Sequence, residues 1–162
     1  MQDAAQIAKI WAPVIQNTLI TFNSVVKSSD EIACMIGHAW DVGHGFWVAQ
    51  ELGRDPQKLG GFVTYGQFRN GIGYARTMEH TIIVDESTRG HGLGMQLIET
   101  AIDHARRASV HSMWAGVSAE NPAGVAFHSR AGFETVARLP QVGRKFDQWL
   151  DLILMQKILK PS

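Results

Sequence analysis

The stretch Thr81-Ile-Ile-Val-Asp-Glu-Ser-Thr-Arg-Gly-His-Gly-Leu-Gly94 carries the most structural information, because it joins an apolar strand to three closely spaced glycines. A helix is predicted directly afterwards over Met95–Ala108, where apolar residues recur on one face. Glycines let the backbone turn tightly and approach a ligand, and the free N–H groups at a helix N-terminus attract negative charge. The stretch therefore predicts a loop that binds phosphate.

Two common phosphate-binding loops do not fit this stretch. A P-loop ends in Gly-Lys-Ser or Gly-Lys-Thr, and neither follows these glycines. A dinucleotide fingerprint read from Gly92 would need glycine where Leu97 stands. What remains is Arg-x-x-Gly-x-Gly at Arg89, Gly92 and Gly94, a pattern that a structural turn without a ligand would also explain.

A second motif follows about thirty residues later, as Asn121-Pro-Ala-Gly-Val-Ala-Phe-His-Ser-Arg-Ala-Gly-Phe133. The two motifs, in this order and at this spacing, resemble those of the GNAT acetyltransferases, which bind the diphosphate of acetyl-CoA. One departure is Gly124, where the family usually has alanine or serine.

Three further segments narrow the resemblance: Phe68-Arg69, Thr77–Val84 and Gly143–Gln156. Together they are similar to the phosphinothricin and methionine sulfone or sulfoximine N-acetyltransferases, over roughly residues 60–159. The family normally opens with a strand before its first helix, whereas this chain opens with a predicted helix over residues 4–20. The resemblance therefore implies a GNAT-type fold in which the first strand is missing, either because the start is truncated or because the sheet lacks that strand.

The pattern along the chain independently predicts one α/β (α+β) domain over residues 1–162, built around one sheet. The resemblance implies that this sheet is mixed, twisted and flanked by helices. Asp3 is the expected N-cap of the first helix, and Pro13 is expected to kink or split it. Further helices are predicted around 29–36 and over Pro122–Arg130. The expected strands are Phe46–Ala49, Gly61–Tyr65, Ala75–Val84, Ser112–Val117, Phe133–Leu139 and Trp149–Met155.

Composition excludes several classes of protein. Fifteen basic and fifteen acidic side chains give zero formal charge, so a dedicated nucleic-acid binder is not expected. The single cysteine, Cys34, excludes an intramolecular disulfide and a Cys-x-x-Cys site. No apolar run approaches the ~20 residues of a membrane helix, and no secretory signal is visible. We expect a soluble cytoplasmic protein without membrane or nucleic-acid partners.

The resemblance implies an acetyl-CoA site. The backbone of Ile82–Val84 would bind the pantetheine arm in the manner of an added strand, and Asn121 would contact the same arm. The glycine loop would hold the pyrophosphate, and Arg130 would contact another part of CoA. The cofactor-binding residues so implied are Ile82, Ile83, Val84, Arg89, Gly90, His91, Gly92, Leu93, Gly94, Met95, Asn121 and Arg130. Structural alternatives are that Ile82–Val84 is simply a core strand and Arg130 a solvated helix residue.

Two residues are the catalytic candidates. The amine must lose a proton before it attacks, and Glu79 occupies the position of the family's proposed base. Many relatives have tyrosine where this chain has His128, which can donate a proton to the leaving thiolate. The alternatives are an ion pair between Glu79 and an arginine such as Arg76, and a packing role for His128. Backbone N–H groups of the strand could stabilise the oxyanion, so no metal is expected.

The acceptor that the resemblance implies is an anionic amino-acid analogue, whose oxygens call for basic side chains. The substrate-binding positions are Arg69, Asn70, Gly71, Glu79, His80, Thr81 and Lys145. Other acceptors with the same fold, namely a polyamine, an aminoglycoside or a protein N-terminus, stay open, as does a non-catalytic acyl-CoA sensor. Family members pair, so a homodimer is expected, with Phe146 and Trp149 in the core or at its interface.

Overall fold

The computed structural model describes residues 2–50 and 58–159. Short 3₁₀ turns at Ile72–Tyr74 and Glu86–Thr88 flank the third strand. The helices and strands, in chain order, are α1 (Gln2–Asn17), α2 (Ser29–Asp41), β1 (Phe46–Gln50), β2 (Leu59–Gln67), β3 (Thr77–Val84), α3 (Leu93–Arg107), β4 (Ser112–Ser118), α4 (Pro122–Arg130), β5 (Glu134–Lys145) and β6 (Gln148–Ile158).

The strands form one open mixed sheet in the order β1-β2-β3-β4-β6-β5. All neighbours are antiparallel except β3 and β4, which run parallel because α3 connects them across the sheet. Within the described residues, β1 pairs only with β2 and the first element is a helix. The predicted mixed sheet flanked by helices is confirmed.

Two cores cover the two faces of this sheet. On one face, α1 and α2 bury Ile7, Ile15 and Ile32 against Phe62 and Ile83. On the other face, α3 and α4 pack on the strands, and the buried set there includes Met78, Ile98, Ala101, Met113 and Met155. Because side chains alternate along a strand, Glu79 and Thr81 point to the α1/α2 face, whereas His80 and Ile82 point to the α3/α4 face.

The N-terminal helix differs from its prediction in two respects. It begins at Gln2, so Asp3 lies in the first turn rather than at the N-cap, where its carboxylate still interacts favourably with the helix dipole. The predicted split at Pro13 is wrong, because the helix is continuous through the proline. Trp11 and Val14 on either side are buried, and this tertiary packing compensates for the hydrogen bond that proline removes.

The β5–β6 hairpin is longer than the sequence pattern indicated. β5 continues beyond Leu139 through Pro140 to Lys145, with a register shift between Leu139 and Gly143. Proline is tolerated here because β5 is an edge strand, where a missing N–H need not leave a ladder partner unpaired. The central strand β3 also differs from its prediction, because it starts at Thr77 rather than Ala75.

No helix in the described part of the chain is long and apolar enough to cross a membrane.

Candidate active site

The site is built around a split between β3 and β4. These parallel strands pair only from Thr77 with Ser112 to Glu79 with Trp114, although β3 continues to Val84 and β4 to Ser118. Beyond the last pair, the edge of β3 that faces β4 carries backbone groups without ladder partners on that side. Two cavities of about 420 and 530 Å³ meet at this split.

The larger cavity is bordered by the glycine loop. Gly90 and Gly92 have φ angles of +85° and +80°, and a Cβ built on either would meet no atom within 4 Å. Gly92 is the N-cap of α3 and makes no side-chain capping bond, so the first N–H groups of the helix lack such a partner. This open, positively polarised cradle fits a phosphate group.

Gly94 serves a different purpose from the other two glycines. A Cβ there would lie 3.2 Å from a ring carbon of Phe127 on α4 and 3.4 Å from Val84. The third glycine of the motif therefore allows α3, α4 and β3 to approach each other, and it is needed whether or not a ligand is bound.

Most of the residues predicted to hold the cofactor border this cavity. Arg89 does so while its Nε lies 3.4 Å from the carbonyl oxygen of Val84. Asn121 accepts a hydrogen bond from Gly124 N–H at 2.9 Å as the N-cap of α4. The predicted residues that line it are Ile82, Ile83, Val84, Arg89, Gly90, Gly92, Leu93, Gly94, Met95, Asn121 and Arg130.

His91 is the exception among those residues. It is exposed, its Nδ1 lies 3.3 Å from the carbonyl oxygen of Thr88, and it does not belong to the lining.

The smaller cavity opens between the α1–α2 loop and the strands. Thr21 and Phe22 line it from the loop, and Glu79 lines it from β3. Oε1 of Glu79 lies over Gly116, 3.0 Å from where a Cβ would stand, so a side chain at this point of β4 would displace the carboxylate. Burial raises the pKa of Glu79, and the positive charge of Arg69 partly opposes this. A carboxylate with a raised pKa is a stronger base.

His80 and His128 lie together on the opposite face, between β3 and α4. Both are 7% exposed, and their Nε2 atoms are 3.0 Å apart. Both border the smaller cavity, and His128 borders the larger one as well. Burial lowers the pKa of each imidazole. The two catalytic candidates, Glu79 and His128, thus flank the split from opposite faces of the sheet.

The turn predicted to contact substrate, Arg69–Gly71, lines neither cavity, although the preceding Gln67 borders the smaller one. Gln67 donates from Nε2 to the carbonyl oxygens of Arg69 and Gly71, at 2.6 and 2.8 Å, and so holds the turn in place. The guanidinium of Arg69 lies 5.2 Å from the Phe68 ring centroid. Asn70 is exposed in the same turn.

Lys145 does not line either cavity. It is 3% exposed, and its Nζ donates to the carbonyl oxygen of Thr21 at 2.9 Å. Burial lowers its pKa. Lys145 therefore stabilises the loop residue Thr21, which lines the smaller cavity, without lining the cavity itself. Thr81, another residue of the predicted substrate set, lines that cavity directly.

Phe22 lines the same cavity and Gly143 lies beneath its ring, and the sequence analysis gave neither residue a site role. A Cβ on Gly143 would lie 2.3 Å from the Phe22 ring, so the ring rests on the bare backbone of β5. A glycine inside a strand is a known sign of such a close approach, and that signal was present in the sequence.

No group of three or more His, Cys, Asp and Glu side chains that could hold a metal ion occurs in residues 2–50 and 58–159.

The sequence model of the acetyltransferase (GNAT) family matches residues 14–133, which include the split strands and both motifs. The chain belongs to this family. It is an acetyltransferase, and the fold and family expected from the two motifs are confirmed.

Individual relatives agree with this assignment. The L-methionine sulfoximine/L-methionine sulfone acetyltransferase of Salmonella typhimurium is 33% identical over 95% of this chain and 88% of its own length. The phosphinothricin N-acetyltransferase of Streptomyces coelicolor is 26% identical over 98% and 92%. Among solved structures, yncA from Salmonella typhimurium with its cofactor acetyl-CoA superposes with a TM-score of 0.91 at 32% identity, covering 99% of this chain and 90% of that one.

Proposed function

We propose that this acetyltransferase transfers the acetyl group of acetyl-CoA to the amino group of a small amino-acid analogue of the phosphinothricin, methionine sulfone or methionine sulfoximine type. The observation that carries the proposal is the pair of cavities meeting at the β3–β4 split, with a carboxylate on one face and an imidazole on the other. Such an arrangement suits direct attack in a ternary complex, because donor and acceptor would meet in the split.

Acetyl-CoA would occupy the larger cavity. Its pyrophosphate would lie in the cradle of Gly90–Gly94, where backbone N–H groups and the N-terminus of α3 favour an anion. The pantetheine arm would pass along the unpaired edge of Ile82–Val84 and Asn121, bonding as a strand would. The thioester would then reach the end of the split beside His128.

Glu79 would act as the general base. An α-amino group with a pKa of about 8 is largely protonated at neutral pH, so a base must remove a proton before nitrogen attacks. Burial raises the pKa of Glu79, which strengthens it as a base, and the positive charge of Arg69 partly opposes this shift. Attack forms the C–N bond and moves negative charge onto the carbonyl oxygen, where N–H groups of the β3 edge would stabilise it.

Collapse of this intermediate breaks the C–S bond, and the sulfur leaves with the electron pair. His128 would protonate that thiolate, since its ring borders both cavities. The ammonium form of the amine loses two protons in all, one to Glu79 before attack and one from the new C–N nitrogen afterwards. Sulfur gains one proton and the other is released to solvent, so the products are an amide, free CoA and one proton.

The substrate class is supported by the charges around the smaller cavity. Arg69, on the turn after β2, is the basic group that acts on Glu79, and it would meet the carboxylate or sulfone oxygens of the acceptor. Lys145 would act indirectly, because its ammonium group is already bonded to Thr21.

A homodimer is the expected assembly. The β5–β6 hairpin exposes Val136, Val142, Phe146 and Trp149, which are 52–61% exposed. Apolar side chains concentrated on one hairpin are typical of a covered surface. Light scattering of the wild-type protein should give twice the chain mass, and Trp149→Glu should lower the measured mass towards that of the monomer. A monomeric wild-type protein would contradict this proposal.

An acetyl-CoA-dependent thiol-release assay tests the function. The panel should contain phosphinothricin, methionine sulfone, methionine sulfoximine, spermidine, an aminoglycoside and short peptides, with mass spectrometry of each product. We expect the highest kcat/KM with one of the first three. A preference for spermidine or a peptide would refute the substrate class, and acetyl-CoA binding without turnover of any amine would favour a sensor.

A further inference from the structure

The α1–α2 loop, residues 18–28, covers the point where the two cavities meet. Ile20 borders both cavities, and the three residues after it line the smaller one. Phe22 is the large apolar side chain among these three, and Glu79 and Leu152 line the same cavity from the strands. The position of the loop therefore sets the space that is left for an acceptor beside the proposed base.

The local hydrogen bonds of this loop do not attach it to the sheet. The Thr18 hydroxyl donates to the carbonyl oxygen of Val14 at 2.6 Å, and its oxygen accepts from Ile20 N–H at 3.2 Å. Asn23 N–H donates to the hydroxyl oxygen of Thr21 at 3.3 Å. Each of these bonds joins residues two or four positions apart, so they shape the loop without fixing it over the cavities.

Two positions near the end of β5 supply the attachment. Lys145 donates from Nζ to the carbonyl oxygen of Thr21 at 2.9 Å, and the Phe22 ring rests on the backbone of Gly143. Gly143 and Lys145 are two residues apart on a strand and therefore face the same side. In the part of the chain that the structure describes, the bond from Lys145 is the hydrogen bond that joins this loop to the sheet.

The end of β5 is itself held by the hairpin. Asp151 of β6 accepts from Gln141 N–H at 2.9 Å, next to the register shift that precedes Gly143. Directly after Lys145, a two-residue turn at 146–147 has φ angles of +47° and +58°, and positive values at both positions suit a tight hairpin. The segment that contacts the loop is thus fixed on both sides, which makes it a firm support.

Lys145 is an unusual residue for such a support, because its ammonium group is buried. The residue is 3% exposed and forms no ion pair with a carboxylate of the described residues. Besides the carbonyl of Thr21, Nζ faces the Phe146 ring, whose centroid lies 5.2 Å away. Burial of a charge is unfavourable unless partners compensate for it. A methionine would fill similar space without that cost, so folding alone does not call for a lysine here.

We propose that Lys145 is a positioning residue that, together with Gly143, holds the α1–α2 loop over the smaller cavity and thereby sets which amines the enzyme accepts. It acts through the carbonyl of Thr21 and does not bind the anionic group of the acceptor. This inference rests on the proposed function, because the loop selects acceptors only if the smaller cavity receives the amine. It assigns selection of the acceptor side chain to the side of the cavity that Phe22 lines.

Direct binding of the acceptor carboxylate is the competing explanation, since an ammonium group without a carboxylate partner attracts anions. The preferred acceptor of the activity panel and its α-carboxamide distinguish the two explanations when both are tested with Lys145→Met. If Lys145 binds the carboxylate, the variant should impair use of the acid and spare the carboxamide. If Lys145 positions the loop, the variant should impair use of both by the same factor.

Lys157→Met is the matched control. Lys157 on β6 also donates from Nζ to a backbone carbonyl oxygen, that of Ala131, and burial lowers its pKa as it does that of Lys145. Lys157 lines neither cavity and does not contact the α1–α2 loop. Its replacement should therefore leave the kinetics with both acceptors unchanged.

The first measurement is the kinetics of Lys145→Met. We expect KM for the acid and for the carboxamide to rise by about tenfold, because a displaced positioning element costs about 10–100-fold, with a smaller change in kcat. Preference over an acceptor one methylene longer should also weaken. KM for acetyl-CoA should change little, since the cradle of Gly90–Gly94 lies on another loop. A loss confined to the acid, an unchanged KM or an unchanged preference would each overturn the proposal.

A second variant tests the other contact with the loop. Gly143→Ala would place a Cβ 2.3 Å from the Phe22 ring and displace it, so KM for both acceptors should rise here as well. The double variant with Lys145→Met should lose less than the product of the two single losses, because both contacts act on one loop. Losses that multiply would overturn the proposal.

The last measurement does not depend on activity. Backbone ¹⁵N relaxation of the full chain, without acceptor, reports the order of residues 18–28. We expect order parameters of about 0.85 in the wild type and in Lys157→Met, and values below about 0.6 in Lys145→Met. Unchanged order in Lys145→Met would overturn the proposal, and so would failure of this variant to fold, because the lysine would then support the whole fold. Absence of turnover in the wild type would instead refute the proposed function, and the relaxation data would still test the loop.

Discussion

Replacing Glu79 with glutamine separates its chemical role from its structural one. The carboxylate lies over Gly116, in the cavity that Phe22 also lines, so an amide of equal size fits the same space. A general base contributes about 10²–10⁴-fold to a rate, which is about 3–5 kcal/mol of transition-state stabilisation at 1.36 kcal/mol per factor of ten. We expect kcat/KM for the amine to fall by that factor at pH 7, with acetyl-CoA binding unchanged.

The pH profile makes this prediction more specific. An amine with a pKa of about 8 is about one-tenth neutral at pH 7 and about nine-tenths neutral at pH 9, so the variant should recover about tenfold over that range. In the wild type, activity should be lost as the pH falls through the pKa of Glu79, which burial places above its usual value of 4.5. That acidic limb should be absent from Glu79→Gln.

Stability supplies the control for this experiment. Since the folded-state pKa of Glu79 is raised, its ionisation favours the unfolded chain, and the contribution of this group is lost as pH rises through the folded-state pKa. Glu79→Gln should therefore be no less stable than the wild type at pH 7 by thermal denaturation. Glu134→Gln, at an exposed position on β5, should change neither property. A Glu79→Gln enzyme with wild-type kcat/KM at pH 7 would refute the reasoning.

Three further substitutions test parts of the fold that support the site. Gly92→Ala places a side chain at φ +80° at a cost of about 1 kcal/mol, so KM for acetyl-CoA should rise. The control Gly37→Ala, inside α2, should leave this KM unchanged, and equal KM values for the two variants would contradict the cradle. Gly143→Val should displace Phe22 and raise KM for the amine, measured with acetyl-CoA saturating, and an unchanged KM would exclude this wall from the acceptor site. Ser28→Ala removes the side-chain cap of α2 and should cost about 1 kcal/mol, or about 2–4 °C in Tm, with kcat unchanged; an unaltered Tm would show that the cap contributes nothing measurable.

The elements that the sequence predicted best are those set by local pattern. The helix beginning at Leu93 follows from its apolar face and from the glycines before it, and α4 follows from the Asn121 cap with proline next to it. Boundaries were less accurate where tertiary packing outweighed a local signal, as with Pro13 in α1 and Pro140 in β5. In both cases the proline is tolerated because of where the fold places it.

The predicted phosphate-binding part of the site could also be identified from the local sequence. A few consecutive residues are enough to predict the positive φ angles at Gly90 and Gly92 and the helix N-terminus that follows them. Resemblance then extended this to Glu79 and His128, whose catalytic roles remain predictions that the variants above test.

By itself, the sequence predicted the glycine cradle, because that feature depends on residues close together in the chain, and its resemblance to known acetyltransferases indicated the family and the candidate base and acid. Only the tertiary structure decided that β3 and β4 separate after Glu79, that Lys145 bonds to Thr21 across 124 positions, and that His80 meets His128 across 48. Those arrangements arise when α4 packs on one face of the sheet and the α1–α2 loop closes over the other. No local periodicity encodes which side chains such packing brings together, since the contacts depend on the geometry of the whole sheet.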